Sequence, residues 1–188
     1  MRVRRVAAVL SALTCTAVLA GIPTASAETT PYCGITWGSL AKFSTSGTMA
    51  PIVGARVGRQ DCYDRMVIDL GGLPAPGYSV RYTDGVRSAG GLPLSVAGAA
   101  TITVTVFAPG YDAAGKPTVP WSVGQHIVSP NQFSAGGFRT FRDLVWGGGY
   151  EGESAFGLGV RARLPFRVFT LDGPGGGSRL VVDVAHQW

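Results

Sequence analysis

The chain has 188 residues and a formal charge of +5, but three of its 16 basic residues and none of its 11 acidic ones lie in the first 27 positions, so the remainder carries only +2. No basic run follows those positions, which argues against a nucleic-acid-binding surface. Twenty-eight glycines and 12 prolines suit a fold of many turns better than a helical one.

Arg2, Arg4 and Arg5 precede an apolar run from Val6 to Ile22, and Ala25-Ser26-Ala27 follows it. That is the layout of a secretory signal peptide cleaved after Ala27, and it predicts an exported protein that is secreted or held at the cell envelope. The competing reading is a membrane anchor, but the run is at the lower edge of spanning length and the small-residue site follows directly. Arg4-Arg5 hints at a twin-arginine signal. Val6-Ala7-Ala8 does not continue that motif, so the general secretory route is favoured. Cys15 is read as a small apolar residue of the signal, since Ala12-Leu13-Thr14 makes a poor lipobox. About 160 residues remain, enough for one domain with a substantial core.

Positions 28–51 read as an extended leader with one apolar patch, "CGITWGSL", and 52–188 as the domain proper. Cys33 and Cys62 are the two cysteines left after cleavage. In an exported chain an even pair predicts one structural disulfide. A metal site is the alternative, but His126 and His186 are the sole histidines and neither stands at ligand spacing from a cysteine or from the other. No metal and no cofactor are expected.

From position 52 onward the pattern is β. The stretches 52–58, 65–70, 77–84, 100–108, 139–147, 154–162, 166–172 and 179–186 alternate, or run in β-branched and aromatic residues. "GGLPAPG", "APGYDAAG", "GGGYEG" and "DGPGGG" separate them, and no stretch shows a helical period with caps. The expected fold is all-β, a sandwich of about eight short, mostly antiparallel strands.

Two segments repeat each other. Arg65-Met66-Val67-Ile68-Asp69-Leu70 matches Arg179-Leu180-Val181-Val182-Asp183-Val184 in residue type at every position. Alternation along a strand places Met66, Ile68 and Leu70 on one face, and Leu180, Val182 and Val184 on the equivalent face of the second copy. Such wording is also common in β proteins generally. If the copies are antiparallel neighbours centred on Val67 and Val181, Arg65 faces Asp183 and Asp69 faces Arg179. Parallel pairing in register would stack like charges.

The span "DRMVIDLGG…PGYSVRYTDG", the late stretch "YEGESAFGLGVRARLPFRVFTLDGPGGGSRLVVDVAH" and the preceding "CGITWGSLAK" together resemble the AMIN-like domain of secreted actinobacterial proteins. This family is a relative of the AMIN domain, the targeting module of periplasmic cell-wall amidases. The resemblance covers about Ile52 to His186. It implies a β-sandwich opened and closed by R-hydrophobic-V-D strands, and a non-catalytic role at the envelope. The partner would be peptidoglycan or another cell-wall polymer, or an envelope protein that the module localises; a scaffolding domain without glycan binding is the alternative. The zinc chemistry of the amidases is not expected.

A search for enzyme chemistry finds little. "GESAF" fails the nucleophile-elbow pattern at its last position. "GLGVRA" fails the dinucleotide pattern, and "GPGGGS" lacks the lysine of a phosphate loop. Glu151 and Glu153 form a carboxylate pair in a Gly-rich turn, and such residues are more often solvated turn charges. Ser154 has no partner marking it as activated, and both histidines are read as structural. The candidate site is therefore one of binding. Trp146, Tyr150 and Glu151 in "WGGGYEG" form a flexible aromatic turn suited to sugar faces; the competing reading has Trp146 capping the core and the glycines serving only as turns. Tyr78, Arg81 and Tyr82 on a neighbouring strand, with Arg167, add a cationic-aromatic surface suited to carboxylates of peptide stems or to anionic wall polymers.

Overall fold

The computed structural model describes residues 31–188; the predicted signal peptide, with Cys15, lies outside them. The described residues form twelve strands: β1 (Lys42–Ser44), β2 (Ile52–Arg59), β3 (Tyr63–Leu70), β4 (Gly77–Thr83), β5 (Val86–Arg87), β6 (Pro93–Leu94), β7 (Ala100–Phe107), β8 (His126–Val128), β9 (Phe141–Tyr150), β10 (Glu153–Val160), β11 (Phe166–Asp172) and β12 (Ser178–Ala185). All eight expected strands are present. The extra four are only two or three residues long, too short to leave a pattern in sequence. One short helix, α1 (Pro130–Ala135), was also unforeseen. Its signal is local: proline in the first turn, and a Gln132 side chain that accepts the Ser129 backbone N–H at 2.9 Å, as in a capping box.

Two antiparallel sheets pack face to face. One has six strands in the order β1-β4-β7-β10-β9-β8, the other four in the order β11-β12-β3-β2. Alternation sends Val80, Ile102, Val104, Val106, Phe156 and Leu158 of the first sheet inward. They meet Met66, Ile68, Leu70, Leu180, Val182 and Val184 of the second in a single core. Burying each such side chain contributes roughly 1.5–3 kcal/mol.

The repeated hexapeptides are strands β3 and β12. They are antiparallel neighbours with Val67 opposite Val181, Arg65 opposite Asp183 and Asp69 opposite Arg179. One departure concerns the outward side, which is less solvated than alternation alone implies. Val67 and Val181 are 7% and 1% exposed, and Asp183 is wholly buried. The cover is a row of arginine side chains and rings. Arg65 holds Asp183 through Nε–Oδ1 at 2.6 Å and Nη2–Oδ2 at 2.9 Å, and Arg167 of β11 adds Nε–Oδ2 at 2.8 Å. Both guanidinium groups lie over the Tyr63 and Phe169 rings, and that of Arg167 also over Trp37.

The leader does more than tether. Cys33 and Cys62 are disulfide-bonded. Trp37 packs on Tyr63, and β1 becomes an edge strand of the six-stranded sheet by pairing with β4. No described helix is long and apolar enough to cross a membrane.

Candidate functional site

The outer face of the six-stranded sheet is built by the same period-2 rule that builds the core. In "ATITVTVF" the valines and isoleucine point in, so Thr101, Thr103 and Thr105 point out. Register sets Thr103 beside Arg81 and Thr105 beside Ser79 on one flank, and opposite Gly157 and Ala155 on the other.

Gly157 and Gly159 of β10 have a purpose. The segment 84–99, carrying the β5–β6 hairpin, crosses over β10, and a Cβ on Gly159 would run into the Ala97 carbonyl oxygen, while one on Gly157 would press on Val86 and Val96. Asp143, buried on β9, clamps the crossing segment by accepting the Ala97 N–H at 2.8 Å. It also contacts His126 Nδ1 at 2.7 Å. The hairpin tip is held by Ala89 N–H to the Gly147 carbonyl, 2.9 Å.

Between this hairpin and the β9–β10 turn lies a groove of about 510 Å³, lined by Arg87, Ser88, Thr103, Thr105, Tyr150, Glu151 and Glu153, with Ser154 and Ala155 at its base. A bulge at Gly147 offsets the β9–β10 pairing, so Phe156 faces Trp146 while Ala155 faces Gly148. The hairpin then closes with Glu151 (φ 49°) and Gly152 (φ 81°), and Gly152 N–H donates to the Tyr111 hydroxyl at 3.0 Å. A left-handed conformation is ordinary for glycine and costs a residue such as Glu151 roughly 1–2 kcal/mol. Tyr150, 59% exposed, stands beside the groove.

The structure sorts the sequence-predicted site residues as follows. Tyr150 and Glu151 line the groove, and Arg81 lies on the same outer face. Trp146 is not an exposed platform: it is buried against Phe156 at 4.8 Å and Trp121 at 5.7 Å, and "WGGG" is strand rather than flexible turn. Tyr78 and Tyr82 fall on the opposite face of β4 from Arg81 and pack against the core, so the three do not form one surface. The Tyr82 hydroxyl donates to Leu164 O at 2.7 Å and accepts Leu164 N–H at 2.9 Å; burial raises its pKa above the usual phenol value. Arg167 belongs to the other sheet, committed to Asp183. Its partner Arg65 has a raised pKa, first through its hydrogen bonds to Asp183.

Among the residues searched for chemistry, Ser154 is buried and donates its hydroxyl to Ala108 O at 2.9 Å. His186 is buried between the Asp61 carbonyl at 3.1 Å and Asp64 at 3.0 Å, a structural tie. The groove residues missed in sequence are Arg87, Ser88, Thr103 and Thr105. The threonines had a signal in their strict alternation. Arg87 and Ser88 had none, because a long-range crossing brings them there. A second cleft of about 710 Å³, lined by Tyr32, Ile35, Thr36, Trp37, Gln187 and Trp188 among others, is mostly apolar and has no acidic or basic side chain in its lining.

The AMIN-like domain profile matches residues 50–186. The chain belongs to the AMIN-like family. Its membership points to a non-catalytic, cell-wall-associated module, and the disulfide agrees with an exported or envelope location. No curated protein and no solved structure matches the chain.

Proposed function

We propose that this AMIN-like chain is an exported, non-catalytic module that binds peptidoglycan through the groove on the outer face of its six-stranded sheet. One observation carries the reading: an exposed ring, Tyr150, stands beside a groove lined by Thr105, by Thr103 with its hydroxyl bonded to Thr83, and by a largely buried Ser88 whose Oγ accepts the Leu92 N–H. A ring supplies area for the apolar face of a sugar, and fixed hydroxyls supply orientation. The test is co-sedimentation of the chain from Glu28 onward with purified insoluble peptidoglycan. The wild type should pellet with the polymer without releasing soluble fragments. Tyr150→Ala, and Thr105→Phe to fill the groove, should leave most of the protein in the supernatant. Equal pelleting of all three would remove the groove from the account.

A second reading, an envelope scaffold without glycan binding, is favoured by the edge of β11. Phe166 N–H bonds the Gly38 carbonyl at 2.9 Å, and beyond that bridge no strand borders β11 among the described residues. Such an edge suits addition of a partner strand. Full recovery of wild-type protein in the supernatant would shift weight to this reading.

A further inference from the structure

The groove contains more charge than a neutral glycan requires. Arg87 lies on its hairpin wall, and Glu151 and Glu153 lie at its turn wall. All three are exposed, and among the described residues none of them is in an ion pair, with one another or with anything else. Opposite charges that line one groove without meeting across it leave both signs available to a ligand.

Each wall is also held in place. Arg87 donates from Nη1 to the Gly91 carbonyl at 3.0 Å, which orients the guanidinium and leaves further N–H groups for a carboxylate. The two-residue turn carries Glu151 in a left-handed conformation at an energetic cost where Asn or Asp is the usual choice. A residue that stands against its backbone preference at a groove rim points to a role for its side chain.

We infer that the groove takes a zwitterionic peptide stem of the wall polymer, its terminal carboxylate on Arg87 and its side-chain ammonium on Glu151 and Glu153. This rests on the groove being the peptidoglycan site and names which part of the polymer it reads. With one cation and two carboxylates, the groove disfavours phosphate-rich anionic polymers, which would meet more repulsion than attraction.

The experiment is calorimetric titration of the chain from Glu28 onward with four probes: the tripeptide Nα-acetyl-L-Ala-γ-D-Glu-L-Lys, its C-terminal carboxamide, its Nε-acetyl form, and a stem-free N-acetylglucosamine tetramer. The tripeptide should bind, and blocking either charge should weaken it at least about tenfold. Arg87→Gln should abolish discrimination against the carboxamide. The double variant Glu151→Gln/Glu153→Gln should abolish discrimination against the acetyl form. Failure of the tripeptide to bind, or binding indifferent to either block, overturns the inference. If intact peptidoglycan still pellets the protein in a groove-dependent way, only the stem assignment falls. If it does not, the groove reading falls as well.

Discussion

Replacing Arg65 with leucine removes two charge-assisted hydrogen bonds from a carboxylate that has no access to water. Asp183 Oδ1 then has no donor among the described residues, while Oδ2 keeps Arg167 at 2.8 Å. Breaking a buried pair by deleting one partner costs about 3–5 kcal/mol. The surviving Arg167 contact and the partial exposure of Arg65 place the expected loss near the lower end, about 3 kcal/mol. For a domain of this size that lowers Tm by roughly 6–12 °C. The control lies on the same sheet face: Arg56–Asp69, 2.9 Å long but with side chains 49% and 28% exposed, so Arg56→Leu should cost no more than about 1 kcal/mol. Urea denaturation of the two variants against wild type measures both. If Arg65→Leu falls within about 0.5 kcal/mol of Arg56→Leu, the claim that the covered Asp183 cluster stabilises the paired repeats is refuted.

Three other outcomes follow from the same geometry. Replacing both Cys33 and Cys62 with alanine opens a link spanning 29 residues and should cost about 3–4 kcal/mol in the chain-entropy model; urea midpoints measure this, and alkylation of the native protein should label neither thiol before reduction. Gly159→Ala should lose about 2–3 kcal/mol and deprotect the Ala97 amide in hydrogen exchange, whereas Gly54→Ala, with open space around it, should leave exchange at Ala97 unchanged. Tyr82→Phe should lose about 1–2 kcal/mol at neutral pH by stripping Leu164 N–H and C=O of their partner. Because the folded-state pKa of Tyr82 is raised, the unfolded chain releases the phenol proton first, so this stabilisation is full below about pH 10 and is lost as pH rises further. The gap between wild type and variant should therefore narrow in alkali; a widening gap would contradict the sign.

Much of the fold was legible because it obeys a two-residue period. The matched hexapeptides placed Met66, Ile68, Leu180 and Val182 inside, and like-charge avoidance chose the antiparallel register that is found. The period says which residues share a face, and less about what covers that face. Asp183 reads as an outward residue of an exposed pair because its second arginine and the covering rings come from β11 and the leader. For Trp146 the core reading is the one found, and the platform reading fails for a related reason. Strand β9 is buried on both faces along most of its length, so its composition does not distinguish a platform from a core residue. The glycines after Trp146 read as turn, yet Gly147 is in a strand because its missing Cβ admits Ala155. Of the candidate site, Tyr150 and Glu151 were legible from the turn they flank. Arg87 required knowing that a hairpin crosses the sheet, which only the clearance at Gly157 and Gly159 makes sterically possible.

The central claim is that the wall polymer is read by the outer face of the six-stranded sheet. Amide NMR of the labelled chain from Glu28 onward, titrated with muramidase-solubilised peptidoglycan, tests it directly. Shifts should cluster at Ser88, Thr103, Thr105, Tyr150 and Glu153. Shifts centred instead on Arg65, Arg167 and Val181 of the opposite sheet, or none at saturating fragment, would contradict it.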